Sequence, residues 1–165
     1  MEDVLWYRKP LLSEPVAVLA FEGWSDAGNT ASGCVENLSG TFDIEPFAEL
    51  NSEGFYNYQM RRPLVEVKDV GQREFHWPQT SFYSIEDYKL KNDLILVFGE
   101  EPSMKWKTYS ENISNTLLDL GVKRAVTLGA FFGQVAHTLP VPCLLYTSPS
   151  PRDATLSRMP SSAWK

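Results

Sequence analysis

Apolar residues along this chain fall into runs of strand length and stripes of helical spacing, and the two kinds alternate. Pro15–Phe21 (Pro-Val-Ala-Val-Leu-Ala-Phe) is apolar throughout, the pattern of a strand covered on both faces, as parallel strands are. It predicts a strand at the centre of a sheet. The run stops at Glu22-Gly-Trp-Ser-Asp-Ala-Gly28, after which Ala31, Val35 and Leu38 share one helical face. A helix is expected there, capped by Asp26 or Asn29 and closed by Gly40. Strand-like sequence returns near Phe42–Leu50, and from Phe55 to Tyr88 short alternating segments take over. Within them Leu64, Val67 and Val70 lead into a turn at Gly71, Phe75 and Trp77 follow, and Pro63 and Pro78 bound what reads as an antiparallel hairpin. A second apolar run, Asp93–Phe98, ends at Gly99. Ser103 then caps a helix of about five turns whose apolar face is Trp106, Tyr109, Ile113, Leu117 and Leu120, and which Gly121 ends. Arg124–Leu128 predicts a third buried strand, closing at Gly129. Strand, helix, strand recurs around the hairpin. The expected class is α/β, a mainly parallel sheet flanked by helices with an inserted antiparallel hairpin.

Composition narrows the class of protein. The chain has 165 residues, 43% apolar and 22% charged, which suffices for a sizeable core. No apolar run approaches the roughly 20 residues of a membrane span. The amino terminus places two acids before its first base and has no apolar core, so it fails as a secretory signal, and a cytoplasmic location without membrane association is expected. Fifteen Lys and Arg against 21 Asp and Glu give a net charge of −6, which argues against nucleic acid as a partner. Cys34 and Cys143 are the only cysteines. They form no metal cage and imply no disulfide framework, so neither a metal nor a cofactor is expected.

The composition changes at Cys143. Cys143–Ser148 is what the codons TGT CTC TTA TAC ACA TCT encode, and Pro149–Asp153 is what CCG AGC CCA CGA GAC encodes; joined, they spell a transposase-based sequencing adapter. After the variable stretch Ala154–Leu156, Ser157–Ala163 matches TCT CGT ATG CCG TCT TCT GCT, the flow-cell primer that follows a sample index. Residues 143–165 therefore resemble translated adapter read-through, and 1–142 read as the amino-terminal part of one α/β domain. Without the tail the balance is 12 bases to 20 acids, a net charge of −8.

Ligands of open α/β sheets collect beyond the carboxyl ends of parallel strands. Three such ends are expected, and they supply the candidate site: Glu22, Gly23, Trp24, Asp26 and Gly28 after the first strand, Glu100 after the second, and Gly129 and His137 after the third. Each has a plainer role. Glycines after strands serve turn geometry, Asp26 can be a helix cap, His137 a hydrogen-bonded loop residue, Trp24 a packing anchor and Cys34 a small core residue. Lys105 and Lys107 are harder to explain so, because bases in a first helical turn oppose the macrodipole, and a small anionic ligand would relieve that conflict. No phosphate loop, dinucleotide fingerprint, nucleophile elbow or pair of histidines at metal spacing is present.

The stretch Phe21-Glu-Gly-Trp-Ser-Asp-Ala-Gly-Asn-Thr-Ala-Ser-Gly33 resembles the bacterial branch of the proteasome assembly chaperone 2 family, which carries Phe-Glu-Gly-Trp-Asn-Asp-Ala-Gly after its first strand. Asn57–Pro63, Glu100–Trp106, Gly121–Ala130 and His137–Pro142 extend the resemblance over nearly all of 11–142. Ser25 replaces the usual Asn, and Gln134 stands where an acid is common. The resemblance implies a truncated α/β fold related to the nucleoside phosphorylase architecture, and often an oligomer. Eukaryotic relatives escort proteasome subunits. Some bacterial members carry a label linking them to ATP-grasp carboxylate-amine ligases, for which these residues offer no support. The expected function is a protein-binding or assembly module with a protein partner or a homo-oligomer. The alternative is a small-molecule enzyme, nucleoside-type or ligase-like, using the cleft at the strand ends.

Overall fold

The computed structural model describes residues 4–145, except 70, 88, 135, 137 and 142. Eight strands and two long helices follow one another as β1 (Val4–Trp6), β2 (Val16–Glu22), α1 (Thr30–Phe42), β3 (Ala48–Leu50), β4 (Leu64–Asp69), β5 (Gln72–His76), β6 (Thr80–Ile85), β7 (Leu94–Glu100), α2 (Trp106–Asp119) and β8 (Arg124–Thr127). Six strands form one mixed sheet in the order β1-β3-β6-β7-β2-β8, and β4-β5 is a separate hairpin. The parallel part is β7-β2-β8, and β1, β3, β6 and β7 pair antiparallel. The class is the expected α/β one, with the hairpin inserted where the alternating segments placed it.

Period-two alternation divides the core between the two faces. Ala17, Leu19, Ile95 and Val97 pack with Tyr109, Ile113 and Leu117 of α2, while Ala20 and Leu96 pack with Ala31 and Val35 of α1. Strands covered on both sides must be apolar at every position; that is why β2 and β7 read as unbroken runs.

Several expectations need correction. β2 has parallel neighbours on both sides but stands second from one end of the sheet. β8, expected to be buried, is exposed at all four residues, because among the described residues it pairs with β2 on one side alone and α2 leaves its face open. α1 does not close at Gly40: it runs to Phe42, and at Asp43, φ 48°, the chain turns so that the Asp43 N–H donates to the Gly40 carbonyl and the Ile44 N–H to that of Ser39. α2 is not capped by Ser103. Lys105, at φ 53°, occupies the cap position without a side-chain bond, and the N–H groups of Ser103 and Met104 donate instead to the Phe55 carbonyl. Cys34 is exposed, since it lies about 100° round the helix from the fully buried Val35.

Residues from Gly133 onward form a second unit. Its described residues hold no helix or strand, and a turn bond runs from Leu139 N–H to the Ala136 carbonyl.

Candidate functional site

Parallel register brings the carboxyl ends of β2 and β7 side by side, with Glu22 opposite Glu100. The Glu101 N–H donates to the Glu22 carbonyl at 2.9 Å, and the Glu101 carboxylate accepts the Trp24 N–H at 3.1 Å. Gly23 lies against that carboxylate, which a side chain at this position would displace from the Trp24 N–H. The third strand end joins through backbone. Ala27 N–H donates to the Ala130 carbonyl at 3.0 Å and Ala130 N–H to the Ser25 carbonyl at 2.7 Å, with Gly129 packed on Ser25. Glu22, Gly23, Trp24, Asp26, Gly28, Glu100 and Gly129 thus share one edge of the sheet. His137 lies outside the described residues.

Asp26 is a structural anchor. It is 5% exposed, and its Oδ1 accepts the N–H groups of Ala31 at 2.7 Å and Ser32 at 3.2 Å, two of the orphan donors at the start of α1. Asn29, the other expected cap, makes no side-chain bond. Asp26→Ala should therefore cost about 1–2 kcal/mol in chemical denaturation, since both amides stay buried; an unchanged midpoint would deny the role. Asp26 Oδ2 and Ser32 Oγ are buried with no hydrogen-bond partner.

Charge at this edge is mostly negative. Burial, then the neighbouring charge of Glu100 and the more minor ones of Glu36 and Asp26, push the Glu22 carboxyl above its ordinary range, and Arg61 opposes them. Arg61, absent from the expected site, holds Glu100 at 3.2 Å. The signal for it was present, since Arg61 lies in the Asn57–Pro63 stretch that carried the resemblance. Lys105 is drawn elsewhere, its ammonium lying over Gly54. Trp24 is 88% exposed and anchors nothing.

Beneath the edge, three hydroxyls form a buried knot. The Thr80 Oγ1 lies 2.6 Å from the Tyr109 hydroxyl and 3.2 Å from that of Tyr56, and both phenols donate to the Glu100 carbonyl, at 3.2 and 3.1 Å. Burial raises both tyrosine pKa values, so the phenols stay neutral. Beside the knot opens a groove of about 330 Å3 between α2 and the ends of β2 and β8, lined by Phe21, Trp106, Tyr109, Ile113, Leu128 and Glu101. A hollow of about 110 Å3 lies at the opposite ends of the same strands, by Val16 and Arg124. Among the described residues, the ligand-type side chains near enough to hold an ion are Glu66, Glu74 and His76, all exposed on the hairpin.

The mixed α/β sheet thus carries an open, largely apolar groove beside its strand ends, and comparison with known proteins gives the family. The PAC2 family model matches residues 20–162, and the chain belongs to the PAC2 family. It is similar to the crystal structure of a PAC2 family protein from Streptomyces avermitilis, with 40% identity and a TM-score of 0.76, covering 87% of this chain and 61% of that one. It is likewise similar to a Mycobacterium tuberculosis proteasome-assembly chaperone homologue, at 35% identity and a TM-score of 0.71, covering 77% of this chain and 54% of that one. A Mycobacterium tuberculosis protein of unknown function gives 28% identity and a TM-score of 0.76, covering 95% of this chain and 55% of that one. The chain thus spans less than two thirds of each of these relatives. No curated protein matches it. Among the described residues, no helix is long and apolar enough to cross a membrane.

Proposed function

We propose that this chain is a protein-binding, chaperone-like module of the cytoplasm, whose partner is a subunit of a larger assembly and docks an apolar segment in the groove beside α2. The groove carries the reading: its wall is largely apolar, with the hydroxyls of Ser25, Ser110, Ser114 and Thr127 interspersed and Glu101 as its charged residue. Aromatic anchors set in an apolar hollow are what protein interfaces use. Two of the polar groups expected to converge for catalysis have structural duties, Asp26 at the start of α1 and Glu100 with Arg61. The relative that is a proteasome-assembly chaperone homologue makes proteasome-type subunits the first partners to try. The test is titration with purified actinobacterial proteasome α and β subunits, followed by light scattering on gel-filtered mixtures. A complex that Trp106→Asp, at an exposed residue of the groove wall, abolishes is expected, and subunits that ignore the chain overturn this partner.

A second reading, catalysis at the strand ends, is favoured by Glu22. A half-buried carboxyl with a raised pKa beside a second carboxylate is a common acid–base arrangement. Turnover of nucleosides, or of amines with carboxylates and ATP, that Glu22→Gln removes would establish it. A small anionic ligand would have to sit near Lys105, away from the carboxylates.

Residues 143–165 are proposed to be adapter-derived, although the family match extends to 162. Sequencing the parent locus decides: natural sequence that diverges after codon 142 is expected, and an unbroken frame through Lys165 overturns it.

A further inference from the structure

β4 and β5 make a sheet of two strands, and among the described residues no strand lies beside the outer edge of β4. Two strands alone are marginal in water; three or more with an apolar face are needed for independent stability. This hairpin has such a face. Register sets Val65 opposite Phe75 and Val67 opposite Arg73, and Val65, Val67 and Phe75 are 50%, 66% and 57% exposed. On the other face Glu66 is directly opposite Glu74, a like-charge pair that destabilises a ladder. Lys68 is held by Glu74, and Glu66 is left with His76 Nε2 at 3.2 Å, a cation only when protonated.

The charges flanking Val67 are opposite in sign, Glu66 before it and Lys68 after it. An antiparallel strand of the same sequence, paired about Val67, therefore sets each Glu66 against the Lys68 of the second copy and each Val67 against its own counterpart. The Lys68–Glu74 ion pair shows that Lys68 lies on the face of Glu66, so opposite charges meet on one side and valines on the other. We propose that two copies of this chain join edge to edge through β4, antiparallel about Val67, into a four-stranded sheet in which Val67 meets Val67 between the Arg73 residues of the two copies. The second copy brings a further cation to Glu66, and the contact is isologous about a two-fold axis, while among the described residues the outer edge of β5 stays unpaired in each copy. The shift in register between Val67 and Asp69 bends β4 and confines the ladder to a short stretch centred on Val67. The proposal specifies self-association and does not depend on the groove beside α2.

Cross-linking in the full chain tests it, with the exposed Cys34 and Cys143 both changed to Ser. Under mild oxidation Val67→Cys should give a covalent dimer, whereas Val65→Cys, displaced from the two-fold axis, should not. Equal cross-linking of the two, or none for Val67→Cys, overturns the register. In sedimentation equilibrium of the parent chain, Lys68→Glu should weaken the dimer about tenfold by setting like charges opposite each other twice. Lys68→Glu also removes the pair with Glu74 and could unsettle the hairpin. The exchange Glu66→Lys with Lys68→Glu keeps a cation beside Glu74 and should restore the dimer; an exchanged chain as weak as the single variant overturns the proposal. A proteasome-subunit complex unaffected by these hairpin variants leaves the groove reading intact, and a failed groove titration leaves the Val67→Cys cross-link standing.

Discussion

Replacing Tyr109 by Ala is expected to lower the stability of this protein by about 3–5 kcal/mol, the range for deleting a buried aromatic ring. Tyr109 is 4% exposed and packs edge-on against Phe21 and Phe55, with ring centroids 6.0 and 5.5 Å away. These rings tie α2 to β2 and to the loop before the hairpin, so the cavity would open where three segments meet. Tyr109→Phe separates ring from hydroxyl. Its loss should be smaller, about 1 kcal/mol, because the Tyr56 hydroxyl still reaches both Thr80 and the Glu100 carbonyl. Denaturant unfolding with the slope checked between variants is the measurement. Equal losses for the two variants would mean that the hydroxyl knot, and not ring packing, holds this end of the sheet. Tyr109 also lines the groove, so Tyr109→Ala should weaken partner binding under conditions where the chain remains folded.

The second large effect is expected at Gly99, the partner of Thr80 across the β6–β7 ladder. A Cβ there would stand 2.5 Å from the Gln79 carbonyl oxygen and from Thr80 Oγ1, and 2.6 Å from Thr80 Cα. Two of these obstacles are backbone and cannot rotate away, so β6 must move. Gly99→Ala should cost about 1–3 kcal/mol or more, although alanine ordinarily suits a strand better than glycine. It should also displace the Thr80 hydroxyl from Tyr56 and Tyr109. Faster amide exchange at Thr80 and Ser81 than elsewhere in β6, together with a lowered unfolding midpoint, would show both consequences. A neutral substitution would show that the strands are less closely apposed than these distances indicate.

The sequence determined the elements whose physics is one-dimensional. β2 and β7 are buried on both faces, so their apolar runs are unbroken; α2 turns one stripe to the core, so Tyr109, Ile113 and Leu117 keep helical spacing. The hairpin was readable from its alternation and from Gly71, which takes φ 98°. The glycine- and acid-rich strand ends followed in turn, and with them the shared placement of most candidate residues, because parallel strands necessarily send their carboxyl ends to one side.

What the sequence left undetermined depends on partners distant along the chain. β6 was lost among the alternating segments because Thr80, Ser81 and Ser84 look solvent-facing, yet all three are buried. Thr80 is satisfied there by Tyr56 and Tyr109, and Ser84 by Arg8 and Glu86. Arg61 reaches Glu100 from a loop 39 positions away. The strand-like sequence of β8 promised burial, but burial belongs to what covers a strand, and β8 is an exposed edge. Local pattern sets which face of an element is apolar. Only the tertiary structure decides whether another element covers that face and whether a buried hydroxyl or carboxylate finds its partner, since both depend on contacts that no local window of sequence contains.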